Sequence, residues 1–249
     1  MVRHAPYGLL QSNEVPDRPW QPVAMDFIMD LPKSDRYDTI LVVIDRVTKM
    51  RHFIPCSKDL DAQQFANLFM KEIGRLHGLP HDIITDRRTL FTSDLCKKTM
   101  GKRGIERTLC TAIDPQTHGQ TERTNAILEQ YLRAYINYQQ DDWCGYLPLA
   151  AFAYNNGYQE TIKNTQFFAN YGINPKYGMI GHLIQGKQTK PEEITQLHES
   201  LRNQMVAAQL RQNKYYNLHR KTDPNLKSGD IVWLLPRNIK TRRPSKRLY

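Results

Sequence analysis

Apolar positions in the first third of the chain fall in short runs rather than at helical intervals. Val23-Ala24-Met25 and Phe27-Ile28-Met29 form one run interrupted only by Asp26, which reads as a strand buried on both faces. A turn over 32–36 leads to Thr39-Ile40-Leu41-Val42-Val43-Ile44, rich in β-branched residues, and then to His52-Phe53-Ile54, stopped by Pro55. Three strands in succession predict an antiparallel meander. From Asp61 the period changes: Phe65, Leu68, Phe69, Ile73 and Leu76 follow helical spacing, with Asp61 as N-cap and Gly78 and Pro80 as the stop. Asp82-Ile83-Ile84-Thr85-Asp86 is a strand after that helix, which a right-handed crossover places parallel to an earlier one, with Asp86 at its end.

Farther along, the pattern predicts a helix over 93–102, a strand over 105–110 and a polar loop over 111–119. A long helix over 120–138 follows, carrying Leu128, Leu132, Tyr135 and Ile136 as its packing stripe. Tyr131, Tyr135 and Tyr138 are expected to pack, and Trp143 to lie in the core of a helix over 142–155. A short helix over 166–171 closes an α/β domain. Residues 192–218 read as one long polar helix, and Gly229-Asp230-Ile231-Val232-Trp233-Leu234-Leu235 as a turn and strand. The domain reading is a lead-in over 1–15, a core over 16–175, a helical linker over 176–226 and a short β module over 227–249.

Composition narrows the class. The 249 residues are 40% hydrophobic and 24% charged, with 13 Gly and 14 Pro, which excludes collagen-like and wholly disordered readings. No stretch reaches the ~18 apolar residues of a membrane span, and no secretory signal opens the chain, so an intracellular protein with no membrane partner is expected. Cys56, Cys96, Cys110 and Cys144 are then expected as thiols, and no pair has the spacing of a structural zinc site. His52, His77, His81 and His118 are expected as surface or loop residues rather than ligands.

The net charge of +10 is unevenly distributed. Residues 1–175 carry 20 bases and 20 acids, whereas 176–249 carry 15 and 5. Arg237, Lys240, Arg242, Arg243, Lys246 and Arg247 stand together near the end with no acid among them, a composition suited to phosphate backbones or to a solvated tail.

Three carboxylates are candidates for chemistry: Asp26 in the first strand, Asp86 at the end of the fourth and Glu122 early in the long helix. A carboxylate within an apolar strand needs a compensating partner, whether a divalent metal, an arginine or hydrogen-bond donors. Taken singly, each also has a structural reading, as a paired strand residue, a turn or cap residue and a first-turn glutamate favoured by the helix dipole.

The flanking residues favour the chemical reading. Thr85-Asp86-Arg87, Phe91-Thr92-Ser93, Pro115-Gln116-Thr117 and Gly119-Gln120-Thr121-Glu122-Arg123, with 35 residues between Asp86 and Glu122, closely resemble the integrases of gypsy-type LTR retrotransposons. So do Arg18-Pro19-Trp20, Met25-Asp26-Phe27-Ile28, Leu76-His77-Gly78-Leu79-Pro80, Tyr138-Gln139-Gln140-Asp141-Asp142-Trp143 and Phe152-Ala153-Tyr154-Asn155-Asn156.

This resemblance implies an α/β ribonuclease H-like core, a five-stranded mixed sheet flanked by helices, followed by a helix and a truncated small β-barrel. It implies that Asp26, Asp86 and Glu122 hold two Mg²⁺ or Mn²⁺ ions, and that Gln116 and Asn125 orient the loop or contact DNA. The implied activity is polynucleotidyl transfer: element DNA ends are trimmed, and the freed 3′-hydroxyl is joined to chromosomal DNA in the nucleus by a homo-oligomer. Against the family pattern, Arg88 replaces a glycine, Asp114 a histidine and His118 an aspartate. The family's N-terminal zinc domain is not expected in this chain. Two other readings share the fold: an inactive relic that binds DNA or RNA through its basic end, and a ribonuclease H-like nuclease.

Overall fold

In the computed structural model the described residues are 15–85, 106–109, 115–175, 191–218, 220–221 and 227–230. The chain divides into a unit of Ser12–Arg211 and a second of Met1–Gln11 with Gln212–Tyr249. The first carries the candidate site.

Its centre is a mixed five-stranded sheet in the order β3-β2-β1-β4-β5. β1 (Pro22–Ile28) pairs antiparallel with β2 (Thr39–Asp45), which pairs antiparallel with β3 (Arg51–Cys56), completing the expected meander. β4 (Asp82–Thr85) lies parallel to β1, as the crossover requires, and β5 (Glu106–Leu109) parallel to β4. Pro55, expected to stop β3, lies within it opposite Ile40. The strand is at the sheet edge, where a residue without an N–H need not break the ladder.

Alternation along β1 divides the core into two layers. Val23, Met25 and Phe27 face one side with Leu41 and Val43, and there meet Phe65, Phe69 and Ile73. Those residues belong to α1 (Ala62–Phe69), opened by a capping box between Asp61 and Gln64, and to the π-helical turn Met70–Gly74 that follows it. A Cβ on Gly74 would come within 2.9 Å of Met70 Sδ, so a larger residue there would make the flexible methionine side chain move aside. The last turn, α2 (Arg75–His77), stops at Gly78, whose φ of 82° ends the helix.

Ala24 and Ile28 face the other side with Ile40, Val42 and Ile44, against Leu128, Leu132, Trp143, Leu147 and Ala150. These come from α3 (Pro115–Tyr135) and α4 (Trp143–Asn156). Trp143 is core, as expected, and its indole donates to the Pro32 carbonyl at 2.7 Å. α3 starts five residues before the expected boundary, inside the stretch expected as loop. Proline at its first position is pre-organised for a helical turn and loses no hydrogen bond there. At its other end the helix stops before Tyr138, which is 97% exposed rather than packed. Beyond α4, the short strands β6 (Tyr158–Gln159) and β7 (Asn164–Thr165) form a hairpin leading into α5 (Gln166–Tyr171). α6 (Pro191–Asn217) follows, with Leu201 buried against Val47, Ile162 and Ala169. Among the described residues no helix is long and apolar enough to cross a membrane.

Candidate active site

Because side chains alternate along a strand, Asp26 points to the same face as Ala24 and Ile28, the face covered by α3. It is half-buried, and it has the partner that an aspartate in an apolar strand requires. Asn125 Nδ2 donates to Asp26 Oδ2 at 2.8 Å, and the Phe27 amide donates to Oδ1 at 2.8 Å. Both carboxylate oxygens are therefore oriented. Asn125 Oδ1 is buried and has no hydrogen-bond partner in the structure.

The helix that supplies Asn125 also supplies Glu122. Thr121, Thr124, Leu128 and Leu132 are the buried stripe that seats α3 on the sheet. Glu122 is exposed, one turn before Asn125, and residues three apart share a helix face. The structure thus ties the strand carrying Asp26 to the helix carrying Glu122 through the Asn125 amide. Sequence reading gave Asn125 a place near the site, and the contact with Asp26 is what the fold adds.

Asp86 follows Thr85, the end of β4, and lies outside the described residues, as do Arg88, Asp114 and the basic cluster Arg237, Lys240, Arg242, Arg243, Lys246 and Arg247. Gln116 and His118 fall in the first turns of α3, with side chains outside the description. Among the described residues no group of three or more His, Cys, Asp or Glu side chains converges to hold an ion.

Two histidines expected at the surface are instead part of a half-buried cluster. His52 and His77 place their Nε2 atoms 2.9 Å apart, one donating to the other, and Trp20 stacks on His77 with ring centroids 3.6 Å apart. Burial pushes His52 down to about 4, against the opposing pull of Glu72. Burial, then repulsion from His52, pushes His77 down to about 3. Trp20 is fixed from the opposite side by its indole donating to Asn170 Oδ1 and its amide donating to Asp45 Oδ1, each at 2.8 Å.

Sequence reading also passed over a group of cations on the α3 side of the sheet. Lys49, Arg51 and Arg123 line one cavity of about 570 Å³. Arg51 is 3% exposed, its guanidinium lies 3.7 Å from the Tyr154 ring centre, and its Nε and Nη1 have no hydrogen-bond partner. The signal available in the sequence was the density of bases in the β2–β3 connection, Arg46, Lys49 and Arg51 within six residues.

No family model matches the chain. It is 30% identical over 92% of its length to the transposon Tf2-3 and Tf2-4 polyproteins of Schizosaccharomyces pombe, and it spans 17% of the length of each. Among solved structures it is similar to a chain of the simian T-cell lymphotropic virus intasome in complex with the PP2A regulatory subunit B56 gamma. That likeness has a TM-score of 0.52 at 17% identity and covers 76% of this chain and 63% of that one. The catalytic core domain of HTLV-2 integrase in complex with magnesium also matches, at a TM-score of 0.47 and 20% identity, over 60% of this chain and 95% of that domain. By sequence the chain is a relative of transposon polyproteins, and it shares its fold with a chain of the retroviral intasome.

Proposed function

We propose that the chain is the catalytic core of a gypsy-type retroelement integrase, a divalent-metal-dependent polynucleotidyl transferase that joins element DNA to chromosomal DNA. The observation that carries this reading is the 2.8 Å hydrogen bond from Asn125 to Asp26, which couples the central strand to the helix bearing Glu122. Asp26, Asp86 and Glu122 would hold two Mg²⁺ or Mn²⁺ ions. Their chemistry suits such ions, because hard divalent cations take carboxylate oxygens and complete their shells with water and phosphate. The unpartnered Asn125 oxygen, beside the carboxylate of Asp26, is a further hard donor. Bound metal supplies Lewis acidity toward the attacking hydroxyl and the phosphodiester.

The chain's own residues supply position. Asn125 and the Phe27 amide fix the rotamer of Asp26, so its charge meets the phosphodiester without reorganising. In the transfer itself, the 3′-hydroxyl oxygen of the element strand forms a bond to the target phosphorus. The phosphorus bond to the target's own 3′-oxygen breaks, the attacking hydroxyl gives its proton to solvent, and the departing oxygen takes one from solvent to become a 3′-hydroxyl. One phosphodiester is exchanged for another, so no energy-supplying cofactor is required. DNA is the partner carried by the proposal, the nucleus is where it would be met, and a homo-oligomer would hold the two element ends.

The test is incubation of purified chain with a branched oligonucleotide that mimics the joined product, in Mn²⁺, beside Asp26→Asn and Asp86→Asn. Reversal of transfer from this substrate does not require two free ends to be brought together. Rejoined strand formed by the parent chain and lost in both variants is the expected result. Binding without rejoining overturns the transferase reading in favour of a nucleic-acid-binding relic, and cleavage without rejoining overturns it in favour of a nuclease.

A further inference from the structure

The cavity beside α3 brings together features that the transferase reading does not use. Lys49 and Arg51 enter from the β2–β3 connection and the start of β3, and Arg123 from α3. All three are basic side chains. Lys49 is 8% exposed, adopts a φ of 62°, and donates from Nζ to the Arg46 carbonyl at 2.7 Å. A non-glycine residue held in the left-handed region costs conformational energy, so the surrounding fold imposes this position on the lysine. The acid at the rim, Glu160, is ion-paired with Lys163.

Arg51 is the stronger indicator. An arginine this deeply buried ordinarily spends its donors on carboxylates or carbonyls. Here the guanidinium covers the Tyr154 ring while Nε and Nη1 remain without partners. Burial and the neighbouring charge of Arg123 both oppose its protonated form, pushing it down to about 10. Lys49 is pushed down to about 7, by burial and then by Arg46. The guanidinium groups of Arg51 and Arg123 stay charged at neutral pH beside an open volume that can receive an anion, and an anion there would draw Lys49 back to its protonated form. One further wall is aromatic: Tyr158, at the start of β6, is 65% exposed and lines the same cavity.

Charge for a phosphate, an exposed ring for a base, and a volume of about 570 Å³ together describe a nucleotide. An aromatic face stacks a base only when that base is free of its duplex partner. We propose that this cavity binds one unpaired nucleotide of a DNA strand, with its phosphate toward Arg51, Arg123 and Lys49 and its base on Tyr158. The inference rests on the reading above in taking DNA as the partner. It adds a single-strand subsite on the face of the sheet that carries Asp26.

The experiment is fluorescence anisotropy of a short labelled oligothymidylate, and of a duplex of equal length, titrated with the full chain in EDTA so that no chemistry occurs. Tyr158→Ala and Arg123→Gln alter exposed side chains and should not disturb folding. Tyr158→Ala should weaken single-strand binding roughly tenfold and leave duplex binding unchanged. Arg123→Gln should reduce the slope of log affinity against log salt by about 0.7 on the single strand. Parent-like single-strand binding by both variants overturns the inference, as does an equal loss on duplex and single strand, or failure of the parent chain to bind the oligothymidylate at all. The two readings fail separately. Rejoining by the parent with parent-like binding by both variants removes the subsite and keeps the transferase. Absence of rejoining with the expected binding losses removes the transferase and keeps the subsite.

Discussion

Asn125 on α3 donates to the carboxylate of Asp26 on β1 across 2.8 Å, and this contact joins residues 99 positions apart in the chain. A hydrogen bond to a charged group contributes about 1.5–3 kcal/mol. Asn125→Ala should lower the unfolding free energy by an amount in that range, seen as a lower urea midpoint with an unchanged slope of the transition. The exchange variant Asp26→Asn with Asn125→Asp re-forms the bond with its polarity reversed. It should recover most of the lost stability and none of the rejoining activity, because the carboxylate has moved from strand to helix. A double variant no more stable than Asn125→Ala would show that the bond is incidental.

A second side-chain amide completes the β3 edge of the sheet. Asn155, at the end of α4, accepts from the Arg51 amide at 2.9 Å and donates to the Arg51 carbonyl at 2.8 Å. It supplies both hydrogen bonds that a neighbouring strand would have made to this residue of β3. Asn155 and Arg51 are both buried, so truncation leaves two backbone groups without partners. Asn155→Ala should cost roughly 2–4 kcal/mol in urea unfolding and accelerate hydrogen exchange at the Arg51 amide. Unchanged exchange at Arg51 in the variant would refute this role.

The parts of the fold legible in the sequence are those whose signal is local. β1 and β2 are buried on both faces, so their apolar runs are continuous except at Asp26, whose position within the run already implied a partner. The start of α3 was not legible, because 115–119 is polar and lacks an apolar period, leaving Pro115 as the only cue. The cluster of His52 and His77 depends on Trp20, which reaches them from a turn at φ 63° and meets residues distant in the chain. No local pattern encodes such a contact. The same holds for the cation-lined cavity, whose walls come from the β2–β3 connection, α3, α4 and the β6–β7 hairpin. Of the candidate site, Asp26 and its face were readable, whereas the coupling through Asn125 required the packing of α3 on the sheet.

Cys56 closes β3 with 1% of its surface exposed, and its thiol is pushed up to about 12, chiefly by burial, with the backbone of Leu41 opposing. The thiolate is the reactive species, so iodoacetamide at neutral pH should leave Cys56 unmodified in the native protein. Labelling should proceed only as fast as the chain unfolds, and should rise with urea. Cys144 is half-buried, with its thiol raised by burial and its Sγ donating to the Ser34 carbonyl. It should react slowly without unfolding. Peptide mass mapping separates the two sites, and rapid native labelling of Cys56 would contradict its burial.

Acid should destabilise the protein through the two histidines before most carboxylates titrate. In the folded state His52 is held near 4 and His77 near 3, each below the ordinary 6.5. Above that ordinary value both are neutral whether the chain is folded or not, and they contribute no pH dependence. As pH falls through 6.5 the unfolded chain takes up protons that the folded one refuses, so stability falls, and the loss ends only near the folded values. The urea midpoint should therefore drop between about pH 7.5 and about pH 5. His77→Phe keeps an aromatic ring against Trp20 and removes one of the two titrating groups, leaving His52, whose downward shift comes from its own burial. Its midpoint should fall over that interval by about half as much as the parent's. An equal fall in parent and variant would show that other groups carry the dependence.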